Sequence, residues 1–325
     1  MNTKKSKKRK ALTVLNALLA VILALMLGAT ALAHSLMNKM NRVDNPRQEQ
    51  SAATVAVEGD QEVSGQAPEI LLGEEKDIVN ILLIGQDRRE GEGRARSDAM
   101  ILLSVNKNTK SIVLTSFLRD LYVEIPGYGS NRINASYAFG GMDLLDQTLA
   151  RNFGIHVDGN VEVDFSQFSQ IIDLVGGAEI TQRQDEAQVI NEELGTSLTE
   201  GTQMLNGAQA LSYARIRKLD ADGDFSRTQR QRTLINAVVR QVKDSGMVKL
   251  MGIVDDILPM VTTDMTNTEI LRYATALLPL LTGAEIVNQR IPADGAYTYA
   301  MIDGMSVLKA DMESSRQLLR DTVGG

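Results

Sequence analysis

The chain of 325 residues predicts a layered α/β domain behind one membrane-spanning helix, and three observations carry that reading. Residues 11–33 hold no charge and follow a tail in which Lys4, Lys5, Lys7, Lys8, Arg9 and Lys10 meet no acid. Three β-rich runs, 79–85, 99–105 and 111–117, come in quick succession. Beyond them, strand-like stretches alternate with helix-like ones, as in helices layered on a sheet.

A helix over 11–33 is about 34 Å long, enough to cross a hydrocarbon core of roughly 30 Å. The basic tail 1–10 is expected to stay in the cytoplasm. Ala31-Leu32-Ala33 imitates a signal peptidase site, but the apolar stretch before it exceeds the roughly 7 to 15 residues of a signal core. Residues 34–76 are rich in Gln, Glu, Ala, Ser and Gly and keep no hydrophobic period, so they read as a stalk. Residues 77–325 then form one domain outside the cytoplasm, without a repeat or a second low-complexity break.

Within that domain, residues 106–110 supply the turn between the second and third runs. If the first two runs are antiparallel neighbours, the loop 86–98 joins them at one end and the third run returns to it. Asp87, Asp98 and Arg119 then converge. A helix over 142–153, a strand at 161–164 and a helix opened by Ser166 follow, the last carrying Phe168, Ile171, Ile172 and Val175.

Composition removes several chemistries. The chain has no cysteine, which excludes disulfides, a thiolate nucleophile and cysteine-held metal. It has two histidines, and His34 adjoins the span, so a Ser-His-Asp site or a histidine-held zinc lacks material. Without its six tail cations the net charge falls from −7 to about −13, which argues against nucleic acid as a partner. An anionic ligand must therefore meet a local basic patch.

Arginine and aspartate supply that patch: Asp87, Arg96-Ser97-Asp98, Arg119-Asp120, Arg132, Arg215, Arg217, and Asp224 with Arg227. Guanidinium groups bind phosphate oxygens in a permanent, bidentate fork. Carboxylates beside them suit Mg²⁺, which takes one or two acids together with phosphates and water. Any single Arg-Asp pair is ordinarily a solvated surface pair. Two spacings speak for more. Arg215 and Arg217 are two apart, which puts them on one face of an extended segment and suggests that a helix from Asn206 ends there. Asp224, Arg227 and Gln231 lie at i, i+3 and i+7, and their stripe continues as Leu234, Ile235, Val238 and Val242, so the charged end faces inward.

In order along the chain, Asn80-Ile81-Leu82-Leu83-Ile84-Gly85-Gln86-Asp87, Arg96-Ser97-Asp98, Ser116-Phe117-Leu118-Arg119-Asp120, Arg132-Ile133-Asn134-Ala135-Ser136-Tyr137, Tyr213-Ala214-Arg215-Ile216-Arg217-Lys218 and Gly223-Asp224-Phe225-Ser226-Arg227-Thr228-Gln229-Arg230-Gln231 resemble the LytR-CpsA-Psr family of cell-wall polymer ligases. The resemblance covers residues 77–325. It implies a three-layer α-β-α sandwich around a mixed central sheet, with a polyprenyl chain in an apolar tunnel and its pyrophosphate at the mouth. It further implies a single-pass protein of a Gram-positive type envelope that transfers a phosphoglycan, such as teichoic acid or capsule, from a polyprenyl-pyrophosphate carrier to a peptidoglycan sugar hydroxyl. Hydrolysis of the same pyrophosphate, or non-catalytic binding of the lipid, are the alternatives. A transcriptional role would leave only ten cytoplasmic residues to meet nucleic acid.

By motif position, the resemblance implies Asp87 and Asp98 as Mg²⁺ ligands. It implies Arg96, Arg119, Arg132, Arg215, Arg217, Arg227 and Gln231 as pyrophosphate contacts, with Arg96, Arg119, Asp224 and Arg227 in catalysis. The sequence departs from the family pattern where Leu118 replaces a usual proline, Arg132 a common lysine and Ser226 a frequent glycine. Leu144, Leu145, Leu149, Phe153, Phe168, Ile171, Ile172 and Leu174 suit a tunnel wall, and equally an ordinary core.

Overall fold

The computed structural model describes residues 35, 37–43, 77–86, 94–217, 219–220, 223–244, 252–253, 255–281 and 286–324. The expected tail, the span at 11–33, most of the stalk and Asp87 lie outside the described residues. Among the described residues no helix is long and apolar enough to cross a membrane. Residues 1–40 and residues 41–325 are separate compact units. Of the first, the described positions are the end of a helix and a turn. Every described strand belongs to the second.

Its centre is a seven-stranded mixed sheet. The strands are β1 (Asn41–Arg42), β2 (Ile78–Gln86), β3 (Ser97–Asn106), β4 (Ser111–Phe117), β7 (Gly159–Asp164), β10 (Thr262–Thr263) and β11 (Ile286–Ile291), ordered β1-β10-β7-β2-β3-β4-β11. β5 (Tyr122–Ile125) with β6 (Gly129–Arg132), β8 (Ala178–Gln182) with β9 (Gly201–Leu205), and β12 (Tyr297–Ile302) with β13 (Met305–Ala310) make three separate hairpins. The folded unit thus reaches back to Asn41, ahead of the start expected at Asp77, because β1 pairs in parallel with β10.

β2, β3 and β4 form the antiparallel meander that the sequence predicts. β2 is nearly all apolar because both of its faces are covered. On one face Ile78, Leu82 and Ile84 join the core with α1 (Ile133–Phe153) and α7 (Met312–Leu319); on the other, Val79 and Ile81 meet Tyr273 of α6 (Asn267–Leu281). Asn106 makes the turn between β3 and β4, its Oδ1 accepting from the amides of Asn108 (2.9 Å) and Thr109 (3.1 Å). At the opposite end the β2–β3 register shifts between Gly85 and Gln86. A Cβ at Gly85 would lie 3.1 Å from that of Ala99. This bulge re-aims the chain beside Asp98.

The helices differ from expectation at their starts. α1 begins at Ile133, not near Met142; Gly141, at φ 73° and ψ −151°, bends it and made its halves look unrelated. α2 (Phe165–Val175) is opened by Asp164 rather than Ser166, since the Asp164 carboxylate accepts from the Gln167 amide and the Gln167 side chain accepts from the Asp164 amide, each at 2.8 Å. α3 (Gln184–Leu194) follows β8. α4 (Gly207–Arg215) starts at Asn206 and stops at Ile216, which is extended (φ −57°, ψ 126°), as the arginine spacing suggests. Any Cβ at Gly207 would sit 2.0 Å from the Ser169 carbonyl oxygen, so glycine is what lets α4 press on α2. α5 (Asp224–Asp244) carries the predicted stripe.

Candidate active site

Between the sheet and the helices α2, α4 and α5 lies a cavity of about 230 Å³. Leu83, Ile101 and Val161 form its floor and Phe168, Ile171 and Ile235 part of its wall. Charge appears only toward its mouth, at Asp98, Asp164, Arg215, Arg217 and Arg227, beside the amide of Gln231. An adjoining cleft of about 630 Å³ shares Asp98, Arg215 and Arg217 and adds Arg119, Glu193 and Ser212. An apolar slot therefore opens through an arginine-lined mouth into a larger cleft of mixed lining. That shape suits an amphiphile with an anionic head.

The mouth is one ion network. Arg119 Nη1 donates to Asp98 Oδ1 at 2.7 Å, and its Nε lies 3.5 Å from Asp224 and 3.8 Å from Asp120. Arg227 Nη2 meets Asp224 Oδ1 at 2.7 Å and donates to the Asp98 carbonyl at 3.3 Å; its Nη1 lies 3.9 Å from Asp98 Oδ1. Arg217 approaches Asp98 Oδ2 at 3.7 Å, and Arg132 approaches Asp120 at 3.4 Å. Among the described residues, Arg119, Arg132, Arg217 and Arg227 pair with Asp98, Asp120 and Asp224, and Arg215 lines the same mouth beside Asp164. Arg227 is 1% exposed, yet its Nε and Nη1, like Arg119 Nε and Gln231 Oε1, are buried without a hydrogen-bond partner. Buried donors are rarely left so unless a ligand or water completes them.

The titrations follow from burial. It pulls the Arg227 guanidinium down to about 10, against the opposing charge of Asp224. For Arg119 burial acts the same way, but the hydrogen bond to Asp98 and the charges of Asp224, Asp98 and Asp120 outweigh it and hold the group above its ordinary value. Burial pushes the Asp224 carboxyl up despite Arg227 and Arg119, and Asp120 adds to the rise.

The family model described as LytR_cpsA_psr matches residues 33–322. The chain belongs to the LytR-CpsA-Psr family. It is 37% identical over 243 residues to the polyisoprenyl-teichoic acid–peptidoglycan teichoic acid transferase TagU of Oceanobacillus iheyensis, covering 71% of this chain and 74% of that one. It is 31% identical over 249 residues to the regulatory protein MsrR of Staphylococcus aureus, covering 75% and 73%. Among solved structures, TagT bound to LIIa-WTA superposes with a TM-score of 0.63 at 28% identity, covering 77% of this chain and 92% of that one.

Of the positions that the LytR-CpsA-Psr motifs single out, Asp98, Arg119, Arg132, Asp224 and Arg227 join one network, and Arg215, Arg217 and Gln231 line the same mouth. Arg96 stands apart: it is exposed at the entry to β3 and pairs with no described acid. Asp87 lies outside the described residues, so the expected convergence is seen for Asp98 and Arg119. The tunnel list divides. Phe168 and Ile171 line the cavity, Ile172 is buried in the core around α4, and Leu144, Leu145, Leu149 and Phe153 pack on the opposite face of the sheet. Two features carried no role from sequence. Asp120 bridges Arg119 and Arg132, which its place beside Arg119 at a strand end foreshadows. Ser212 donates to Glu193 at 2.5 Å in the larger cleft, a pairing between α3 and α4 that no local pattern reveals.

Proposed function

We propose that this protein transfers a phosphoglycan of the teichoic acid or capsule class from a polyprenyl-pyrophosphate carrier to a peptidoglycan sugar hydroxyl. The observation that carries the reading is the apolar cavity opening through Asp98, Arg217, Arg227 and Gln231, with the Arg227 donors unpartnered. The relative TagU is named for such a transfer. In this reading the polyprenyl chain lies against Phe168 and Ile171, the pyrophosphate takes Arg119, Arg215, Arg217, Arg227 and Gln231, and the glycan extends into the larger cleft. Arg132 contributes through Asp120, and Arg96, exposed at the entry to β3, is the remaining pyrophosphate contact that the motifs imply.

The acceptor hydroxyl oxygen forms a bond to the glycan-proximal phosphorus as the bond from that phosphorus to the bridging oxygen breaks. A glycan phosphodiester and polyprenyl phosphate result. Asp224 takes the hydroxyl proton, a task for which burial raises its proton affinity. Arg119 and Arg227 neutralise charge on the phosphoryl oxygens, and little covalent help is needed. Asp98 brings a carboxylate of the type a hard divalent cation takes, though its Oδ1 holds Arg119 at 2.7 Å and its Oδ2 lies 3.7 Å from Arg217. Asp98 and Asp87 would hold Mg²⁺, which supplies further positive charge to the pyrophosphate. The span expected at 11–33 would tether the protein to the membrane that holds the donor.

Asp98→Ala and Arg119→Ala, in the full chain in detergent, are expected to abolish transfer from a polyprenyl-pyrophosphate donor while the circular dichroism stays native. Full transfer by both variants would overturn the proposal. Product analysis with and without peptidoglycan separates transfer from hydrolysis, and binding without turnover marks a lipid carrier.

A further inference from the structure

α5 carries three arginines within six residues, and each meets a different environment. Arg227 faces the mouth. Arg230 is a structural ion: its Nε donates to Glu186 at 2.7 Å, its Nη1 to the Ile216 carbonyl at 3.2 Å and its Nη2 to Asp220. Arg232 resembles neither. It is 6% exposed, and its single hydrogen bond among the described residues runs from Nη1 to the neutral hydroxyl of Ser116, at 2.7 Å. No described carboxylate pairs with it, and its Nε is buried without a partner.

Its charged neighbour is another cation. Arg290 pairs in register with Ser116, on the β4–β11 side of α5 and away from the cavity. The guanidinium of Arg290 lies 4.6 Å over the Phe225 ring, and Phe225 sits two turns before Arg232 on the same helical face. Arg290 bonds Asp294, whose side chain is 85% exposed, and its own Nε is also buried and unpartnered. Burial pulls Arg232 down to about 10, and the charge of Arg290 acts in the same direction. Arg232, deeply buried, pairs with no described acid, and Arg290 beside it holds only the exposed Asp294.

We propose that Arg232 and Arg290 form a second oxyanion subsite, distinct from the mouth, that binds a phosphate group. The two buried Nε–H groups that lack a partner, with the adjoining guanidinium edges, offer donors of the kind that phosphate oxygens accept. Ser116 lies near the end of β4, three residues before Arg119 in the chain. The phosphate comes either from a phosphodiester of the transferred polymer, a source that rests on the proposed function, or from free phosphate, which does not.

The test uses the full chain in detergent in an Arg119→Gln background, which weakens phosphate binding at the mouth, and reads binding and melting rather than transfer. Inorganic phosphate is expected to raise Tm in that background, and adding Arg290→Gln to weaken phosphate binding by about tenfold, the scale of a lost charge-assisted bond. Arg232→Met is expected to raise Tm in phosphate-free buffer, since it removes an unanswered buried charge, and to lose the response to phosphate. A glycerol-phosphate oligomer that needs Arg290 as inorganic phosphate does identifies the polymer as the source. Dependence confined to inorganic phosphate identifies the free ion. A phosphate response unchanged by both substitutions, or a fall in Tm for Arg232→Met without phosphate, would overturn the proposal.

Discussion

Replacing Arg227 by methionine separates catalysis from stability at the mouth. Arg227 is 1% exposed and pairs with Asp224 at 2.7 Å, so its removal breaks one side of a buried ion pair, ordinarily a loss of about 3 to 5 kcal/mol. Two terms reduce that. Burial and the neighbouring arginines already draw Arg227 down to about 10, and that net penalty on its charged form, on the order of 3 kcal/mol, disappears with the charge. Asp224 keeps Arg119 at 3.5 Å and has a raised pKa, so it can bind a proton instead of standing unpaired. The expected net loss is under about 2 kcal/mol, a fall in Tm of less than about 8 °C. Transfer should suffer far more, because an inward, preorganised donor is removed: about 10²- to 10³-fold in kcat. The assays are single-turnover transfer from a polyprenyl-pyrophosphate glycan by the full chain, and its thermal melt. A fall in Tm well beyond about 8 °C, with transfer per folded molecule unchanged, would refute the reasoning and make Arg227 a structural ion.

Asp224→Asn should abolish the acid limb of the kcat profile, since the wild-type limb reports a carboxyl raised by burial; an unchanged limb assigns the proton elsewhere. The sign for stability follows from the same shift: a folded pKa above the unfolded one gives stability below the unfolded value that is lost as pH rises through the folded value, so Asp224→Asn should gain on wild type across that window and match it in acid. Ile171→Trp should fill part of the 230 Å³ cavity. Displacing two buried CH₂ groups costs about 1.6 kcal/mol, so KM for a long-chain donor should rise more than tenfold while a donor of one or two isoprene units is unaffected. Arg230→Met strands Glu186, whose side chain is 6% exposed, and should lower Tm by about 6 to 20 °C, read by calorimetry.

Legibility from sequence followed how local the determining physics is. β2, β3 and β4 were readable because strands covered on both faces are continuous apolar runs joined by an asparagine turn. The meeting of Asp98 with Arg119 followed from that meander alone. β1 and β10 were not readable, since two residues each carry no pattern and their pairing is set by partners far along the chain. The first half of α1 was hidden by Gly141 and by buried polar residues such as Asn134 and Ser136, which do not mark an apolar face. The cavity wall was half readable: Phe168 and Leu149 look alike as helix residues, and only the side of the sheet on which each helix packs separates them.

The arginines of α5 show the same limit at the level of charge. Periodicity correctly put Arg227 on the inward stripe with Asp224 and Gln231, but Arg230 and Arg232 are also buried, at 4% and 6% exposure. Helical spacing tells which way each points and nothing about what it meets. Arg230 is answered by Glu186 and Asp220, both distant in sequence, so it belongs to the scaffold and anchors the Ile216 carbonyl beside Arg217. Arg227 is half answered, by Asp224, with Nε and Nη1 left over. Arg232 is answered only by a hydroxyl. Burial costs all three alike, so the carboxylates missing around each guanidinium, rather than burial itself, mark where a ligand's negative charge is needed.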